Sequence, residues 1–291
     1  MNESIKVVSE VNKTVALSIV IPTLGRKQEV DMLLQSIEQS NIIFPYEIIV
    51  VDQNPEGFLN EICDKYAKKL PLTQYIVSFK GSSKARNFGV KKAKGEIICF
   101  PDDDAEFLPD TITTAFEIMK KKKVPCVFGK VISKKTGEDV VIKFCKEEKF
   151  LSLKDFEGAF VEATMFAKTQ LIRDFQFDEE LGIGTIHGAE EGYDLVFRLL
   201  KAEVSIFFSP EIKFYHPIKV MTRKSDAEVK RAFYYSCGLG YLCKKHGFVR
   251  KYRRRMLRIM LVIPVIALFR HKELKYFRAQ KMGLELGYKF I

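Results

Sequence analysis

Three carboxylates in a row, Asp102-Asp103-Asp104, follow the apolar stretch Ile97-Ile98-Cys99-Phe100 and Pro101. Core packing gives no reason for three acids at the end of a buried strand. Like charges this close raise one another's pKa unless a cation neutralises them. Hard divalent ions take oxygen ligands, and Mg²⁺ pairs one or two carboxylates with substrate phosphates. The plain alternative is a solvated acidic turn opening the helix after Pro109, because acids favour helix N-termini. A second acidic group, Glu190, Glu191 and Asp194, stands at the start of a helical pattern carried by Leu195, Phe197, Arg198 and Leu199. These acids either complement the helix dipole or supply a general base aimed into a cleft. A GxGxxG fingerprint and a GxxxxGK[ST] loop are both absent, so a phosphate needs a metal together with Arg or Lys. Arg26 and Arg86 are the candidates.

These groups are positioned by strands that alternate with helices. Residues 17–21, 47–51, 73–77 and 97–100 read as apolar strands. Between them, Val30, Leu33, Leu34 and Ile37 recur at helical spacing, as do Phe58, Leu59, Ile62 and Tyr66. Ser82 or Ser83 can cap a third helix carrying Ala85, Phe88 and Ala93. Ile112, Ala115, Phe116 and Met119 form a fourth after the acids. The pattern predicts right-handed βαβ units and a buried parallel sheet. Ligands of such sheets bind at the carboxyl ends of the strands. There the chain places Pro22-Thr23-Leu24-Gly25-Arg26, Asp52-Gln53-Asn54, Lys80-Gly81-Ser82-Ser83 and the acidic triplet. Such convergence argues against a mere acidic turn. Residues 126–166 read as mixed strands and loops.

The bulk numbers bound the answer. The chain has 291 residues, 47% apolar and 29% charged, and a net charge of +11, which excludes disorder. Much of the positive excess lies after Lys219, notably in Arg250-Lys251-Tyr252-Arg253-Arg254-Arg255. Six cysteines form no CxxC pair, so reduced thiols are expected and structural zinc is not. No signal peptide is legible at the N-terminus. The apolar run 256–269, flanked by basic residues, is shorter than the roughly 20 residues of a membrane span. It is either a buried helix or an interfacial helix on an anionic leaflet.

Taken in order, these motifs resemble the family 2 inverting glycosyltransferases, whose fold is GT-A: a Rossmann-like, mostly parallel sheet with flanking helices. Leu17-Ser18-Ile19-Val20-Ile21-Pro22-Thr23 with Arg26 is similar to the opening strand and its PT-x-x-R loop. Ile49-Val50-Val51-Asp52 resembles the VVD strand end, and Ala85-Arg86-Asn87-Phe88-Gly89 with Gly95-Glu96 the ARN-x-G…GE segment. The triplet resembles the DxD motif, residues 188–198 the G-x-G-E-x-x-D-L-x-x-R helix, and Tyr215-His216-Pro217 the histidine closing the catalytic domain.

The resemblance implies roles. Asp52 would contact the nucleotide base in a pocket lined by the Pro22-Thr23 backbone, and Arg86 would meet the diphosphate. Asp102 and Asp104 would hold Mn²⁺ or Mg²⁺, His216 would complete the metal shell, and Asp103 would face the donor's ribose or sugar. Family members often carry Glu-Asp where this chain has Glu191-Gly192, with the Asp as base; glycine cannot do that work. Glu191 is then the expected base, with Glu190 and Asp194 as fallbacks. The expected organisation is an N-terminal extension (1–15), a catalytic domain (16–220) and a helical, basic region (221–291). The expected reaction is metal-dependent, inverting transfer from a nucleoside-diphosphate sugar to a lipid-linked or polysaccharide acceptor. It would take place in the cytoplasm, peripherally on the inner face of the membrane, with no nucleic-acid partner. Sugar-phosphate nucleotidylyl transfer and a non-catalytic polyanion- or membrane-binding module are the alternatives.

Overall fold

Unbroken apolar runs build the first half of the sheet. Strands β1 (Leu17–Thr23), β2 (Tyr46–Asp52), β3 (Leu72–Ile76) and β4 (Ile97–Cys99) lie parallel. Helices α1 (Gln28–Glu38), α2 (Asn60–Ala67) and α3 (Ser82–Lys92) connect them. Nearly every residue of β1 is buried, because a parallel strand has both faces covered. α1 buries Val30, Leu33, Leu34 and Ile37, the positions its helical spacing predicts. The computed structural model describes residues 14–218 and 222–289. All but the last two residues of the expected N-terminal extension, and the expected boundary at 220, lie outside them.

The second half mixes directions. It runs through β5 (Glu106–Phe107), α4 (Thr111–Lys122), β6 (Cys126–Ile132) and β7 (Lys149–Phe150). A 3₁₀ turn (Glu162–Thr164), β8 (Phe166–Lys168), α5 (Thr169–Phe175), α6 (Glu191–Lys201) and β9 (Ile206–Tyr215) follow. The strand order is β3-β2-β1-β4-β8-β6-β9-β5, with β7 also on β9. Of the described strands, β1, β2, β3, β4, β6 and β9 run one way and β5, β7 and β8 the other. The mostly parallel α/β sheet expected from the sequence is therefore present.

Register assembles the working edge. Thr23 pairs with Asp52 and Ile19 with Cys99, so the segments after β1, β2 and β4 leave the sheet side by side at its carboxyl end. β5 begins two residues after Asp104 and pairs antiparallel with β9, Glu106 facing Tyr215. That pairing delivers His216, the next residue, to the acids.

The chain ends in α7 (Asp226–Lys245), α8 (Val249–Phe269) and α9 (Leu274–Lys289). α7 opens with a capping box between Ser225 and Glu228. It meets α9 almost backbone to backbone: a Cβ on Gly283 or Gly287 would run into the carbonyls of Phe233 or Cys237. α7 also lies on the loop before α6, where the Gly188 N–H donates to the Tyr234 carbonyl at 3.0 Å. α8 is not the buried helix that was one reading of residues 256–269. Ile259 and Ile266 are buried, whereas Leu257, Leu261, Val265, Leu268 and Phe269 are exposed. Among the described residues, no helix is long and apolar enough to cross a membrane. All six cysteines are free, and Cys99 and Cys126 are core residues.

Gly287→Val should force α7 and α9 apart and cost about 1–3 kcal/mol, as overpacking does. The measurement is thermal unfolding; an unchanged Tm would mean that the two helices do not depend on this contact.

Candidate active site

The turn after β4 turns the triplet toward two partners. Asp102, Asp104 and His216 each offer one ligand atom, all within 4.8 Å of one another. His216 Nε2 is 3.3 Å from Asp104 Oδ1 and 3.9 Å from Asp102 Oδ2, while its Nδ1 lies 3.0 Å from the Pro217 carbonyl. Burial alone would lower this imidazole's pKa. The hydrogen bond to Asp104 and the charges of Asp104 and Asp102 outweigh burial and hold it above the ordinary value. Arg26 Nη1 is 2.8 Å from Asp103 Oδ1 and 2.5 Å from Asp104 Oδ2. The sequence suggested Arg26 as a phosphate partner; here the triplet itself engages it. Burial pushes the Asp103 carboxyl up to about 6, against the pull of Arg26.

Arg86 is the buried counterpart, 3% exposed. Its Nη1 is 3.0 Å from Glu191 Oε1, its Nη2 is 3.5 Å from Asp102 Oδ1, and its Nε has no hydrogen-bond partner among the described residues. Glu191 also accepts a hydrogen bond from Ser82 Oγ at 3.2 Å. The serines at the start of α3 therefore do not cap it. Ser82 holds Glu191, and Ser83 donates to the Leu181 carbonyl at 2.6 Å, which ties α3 to the glycine-rich loop before α6.

Glu162 completes this group, and the sequence reading did not single it out. It sits on the 3₁₀ turn before β8. That turn is pinned to β6 by Thr164, whose hydroxyl donates to the Gly129 carbonyl and accepts from the Gly129 N–H, both at 3.1 Å. Burial, then the charge of Glu191, push the Glu162 carboxyl up to about 7 against the pull of Arg86. The available signal was a lone acid in Phe160-Val161-Glu162-Ala163-Thr164-Met165-Phe166, since unpaired acids are rare in apolar runs.

The other candidates stand apart. Asp52 is fully buried at the end of β2. Its Oδ1 accepts from the Asn54 N–H at 2.9 Å and the Asn54 side chain at 2.7 Å, and its Oδ2 from Gln74 at 2.8 Å. Pro22 and Thr23 run beside it, paired with Val51 and Asp52. Asp194 does not join the cluster. Arg198 at 2.7 Å, Lys245 at 2.7 Å and His246 at 2.8 Å engage both its oxygens, so it fastens α6 to α7. Burial would raise its pKa, but these partners hold it below the usual carboxylate range. Glu190, in the left-handed region at φ 76°, has Lys251, Glu191, Glu157 and Arg255 as its charged neighbours, and burial pushes it up to about 7.

Residues 18–180, more than half of the chain, match the sequence model of "Glycosyl transferase family 2". The chain belongs to that family. A family 2 relative, the GalNAc(5)-diNAcBac-PP-undecaprenol beta-1,3-glucosyltransferase of Campylobacter jejuni, is 26% identical over 172 residues, 56% of this chain and 55% of that protein. The poly(ribitol-phosphate) beta-N-acetylglucosaminyltransferase TarS of Staphylococcus aureus is 31% identical over 103 residues, 34% of this chain and 18% of that protein. The chain thus spans little more than half the length of the first and less of the second. The solved structure of TarS 1-349 in complex with UDP-GlcNAc is similar at a TM-score of 0.58 and 20% identity, covering 94% of this chain and 91% of that one. The mannosyltransferase PcManGT from Pyrobaculum calidifontis, solved with GDP-Man and Mn²⁺, is similar at 0.53 and 16%, covering 93% and 72%. These likenesses show the GT-A fold of a family 2 glycosyltransferase.

The donor set fits a divalent metal. Two carboxylates and an imidazole facing one point suit Mn²⁺, which accepts nitrogen as well as oxygen. Binding must displace the proton that His216 holds above its ordinary pKa of 6.5. Lowering the pH from about 8 to about 6 should therefore weaken Mn²⁺ binding by roughly 10-fold or more, read by calorimetry. His216→Ala should remove most of that pH dependence.

Proposed function

We propose that the chain transfers a glycosyl group from a nucleoside-diphosphate sugar to a hydroxyl of a lipid-linked or polysaccharide acceptor, inverting the anomeric carbon. The observation that carries this reading is the meeting of the Asp102, Asp104 and His216 cluster with the buried Arg86 at the carboxyl edge of the sheet. Asp102, Asp104 and His216 would hold Mn²⁺ or Mg²⁺, which when bound offsets charge on the diphosphate. Arg86, held rigid by Glu191 and Asp102, faces the same charge from the protein side without reorganising. Its Nε, without a partner among the described residues, leaves one donor for a phosphate oxygen. The Pro22-Thr23 backbone and Asp52 form the floor for the nucleobase, and Asp103 faces the ribose or sugar. Arg26 is more exposed than Arg86 and can turn from the triplet to the diphosphate once a divalent ion neutralises Asp104.

Nucleotide sugars in the TarS and PcManGT structures support the donor class. Undecaprenol in the name of the C. jejuni relative supports a lipid-linked acceptor. Family membership sets aside the nucleotidylyltransferase alternative. The C-terminal helices suit a lipid-linked substrate: exposed Arg250, Arg253 and Arg254 precede the exposed stripe Leu257, Leu261, Val265 and Leu268 on α8. Basic residues followed by an apolar face are the pattern of an interfacial helix on an anionic leaflet. On this reading the protein works peripherally at the inner face of the cytoplasmic membrane.

Mn²⁺ with a matching UDP- or GDP-sugar should raise the Tm, and EDTA or Asp104→Ala should abolish that rise. Equal shifts with and without metal would remove the metal from the reading. Leu261→Glu with Phe269→Glu should lower co-sedimentation with phosphatidylglycerol vesicles by roughly 10-fold or more. Unchanged partitioning would place the membrane contact elsewhere.

A further inference from the structure

The residue after Glu191 is glycine, and an acid from another element fills the space a side chain there would take. A Cβ on Gly192 would lie 2.5 Å from Glu162 Oε2 and 3.0 Å from its Cδ. A side chain at position 192 and the Glu162 carboxylate therefore compete for one volume. That volume adjoins Glu191, which with Asp102 flanks Arg86.

We infer that Glu162 is the base that takes the proton of the attacking acceptor hydroxyl, and that Glu191 is a positioning residue for Arg86. This rests on the transferase reading. Glu191 is poorly placed as a base: it is 4% exposed, and the Arg86 guanidinium and the Ser82 hydroxyl both donate to its Oε1. Those two donors occupy the oxygen that would have to take the proton, and burial keeps an acceptor hydroxyl away from it. Glu162 also feels the charge of Arg86, but among the described residues it makes no direct ion pair with it. Among the described residues no side-chain hydrogen bond holds its carboxylate, and it is only half-buried, within reach of a substrate. Its backbone is nevertheless fixed, because Thr164 ties the turn to β6.

The step balances. The acceptor oxygen bonds to the anomeric carbon as its proton passes to Glu162 Oε2. The bond from that carbon to the diphosphate oxygen breaks, and its electron pair leaves with the nucleoside diphosphate, whose added negative charge meets Arg86. Glu162 ends as a neutral carboxylic acid that returns its proton to water.

The test uses the full chain with Mn²⁺ and UDP-GlcNAc or GDP-mannose, following release of the nucleoside diphosphate with water as the acceptor. Binding of UDP or GDP is read in parallel by thermal shift. Glu162→Gln should slow release by about 100-fold or more, the scale of a lost general base, while the nucleotide-induced shift persists. Glu191→Gln should weaken nucleotide binding, because it loosens Arg86. The double variant Glu162→Ala/Gly192→Asp returns a carboxylate to the same volume from the other backbone; it should recover roughly 10-fold over Glu162→Ala alone. Release by Glu162→Gln within about 3-fold of wild type overturns the assignment. So does a double variant no faster than Glu162→Ala at equal Tm. A wild-type chain that neither binds nucleotide nor releases it with either donor defeats the transferase reading and the base with it. Wild-type turnover that survives Glu162→Gln defeats the base alone.

Discussion

Asp102, Asp103, Asp104, Glu162 and Glu191 meet at one edge of the sheet, where their mutual repulsion is offset by Arg26, Arg86 and, when protonated, His216. The acids outnumber these cations. In a partly desolvated cleft that excess is costly, and removing one partner of a buried pair typically costs about 3–5 kcal/mol. The packing around the edge is therefore a set of restraints on charge. Arg86 is buried between two acids, His216 is fixed through its other nitrogen by the Pro217 carbonyl, and Arg26 spans two members of the triplet. Among the described residues this excess of acid suits a divalent ion and the charge changes of a departing diphosphate, and it resists being filled by an apolar ligand.

The fold meets that demand with distant segments. Parallel register aligns the exits of β1, β2 and β4, and the two-residue strand β5 clips the triplet to the end of β9. The serines of α3 reach across to Glu191 and Leu181. Asp194 works from behind: Arg198 holds it within α6, and Lys245 and His246 join it to the end of α7. The C-terminal helices are thus part of the frame that sets the start of α6, because α7 both bonds Gly188 and packs on α9.

Legibility in the sequence followed the range of the physics. β1, β2, β3 and β4 and their helices were readable because burial of a parallel strand or of one helix face leaves a local pattern of apolar residues, such as Val30, Leu33, Leu34 and Ile37. The triplet was readable because three adjacent acids have no packing explanation. β5 and β7 left no pattern: two residues carry no periodicity, and their partners lie far along the chain. The pairing of Arg26 with the triplet spans 77 residues, and that of Ser82 with Glu191 spans 109. Ser82 looked like a helix cap because its local role was the only one a linear reading could weigh. Asp194 looked like a candidate base for a similar reason: Lys245 and His246 reach it from more than fifty residues away. The glycine at 192 was visible as a gap, but its filling by Glu162 was not, since nothing local links a turn before β8 to the first turn of α6.

The closeness of Gly192 to Glu162 has an evolutionary consequence. An aspartate at 192 and the glutamate at 162 cannot both keep their present places: the Cβ of the one would lie 2.5 Å from a carboxylate oxygen of the other, and the flexible end of Glu162 would swing aside. Two arrangements that deliver an acid to the same volume from different backbones therefore compete for it, and the Glu162 side chain is the part that yields. A lineage moving between them one substitution at a time can gain the aspartate first, with the Glu162 side chain displaced, and lose the glutamate afterwards. The two forms are thus joined through a chain that carries both acids, one of them pushed out of the shared volume.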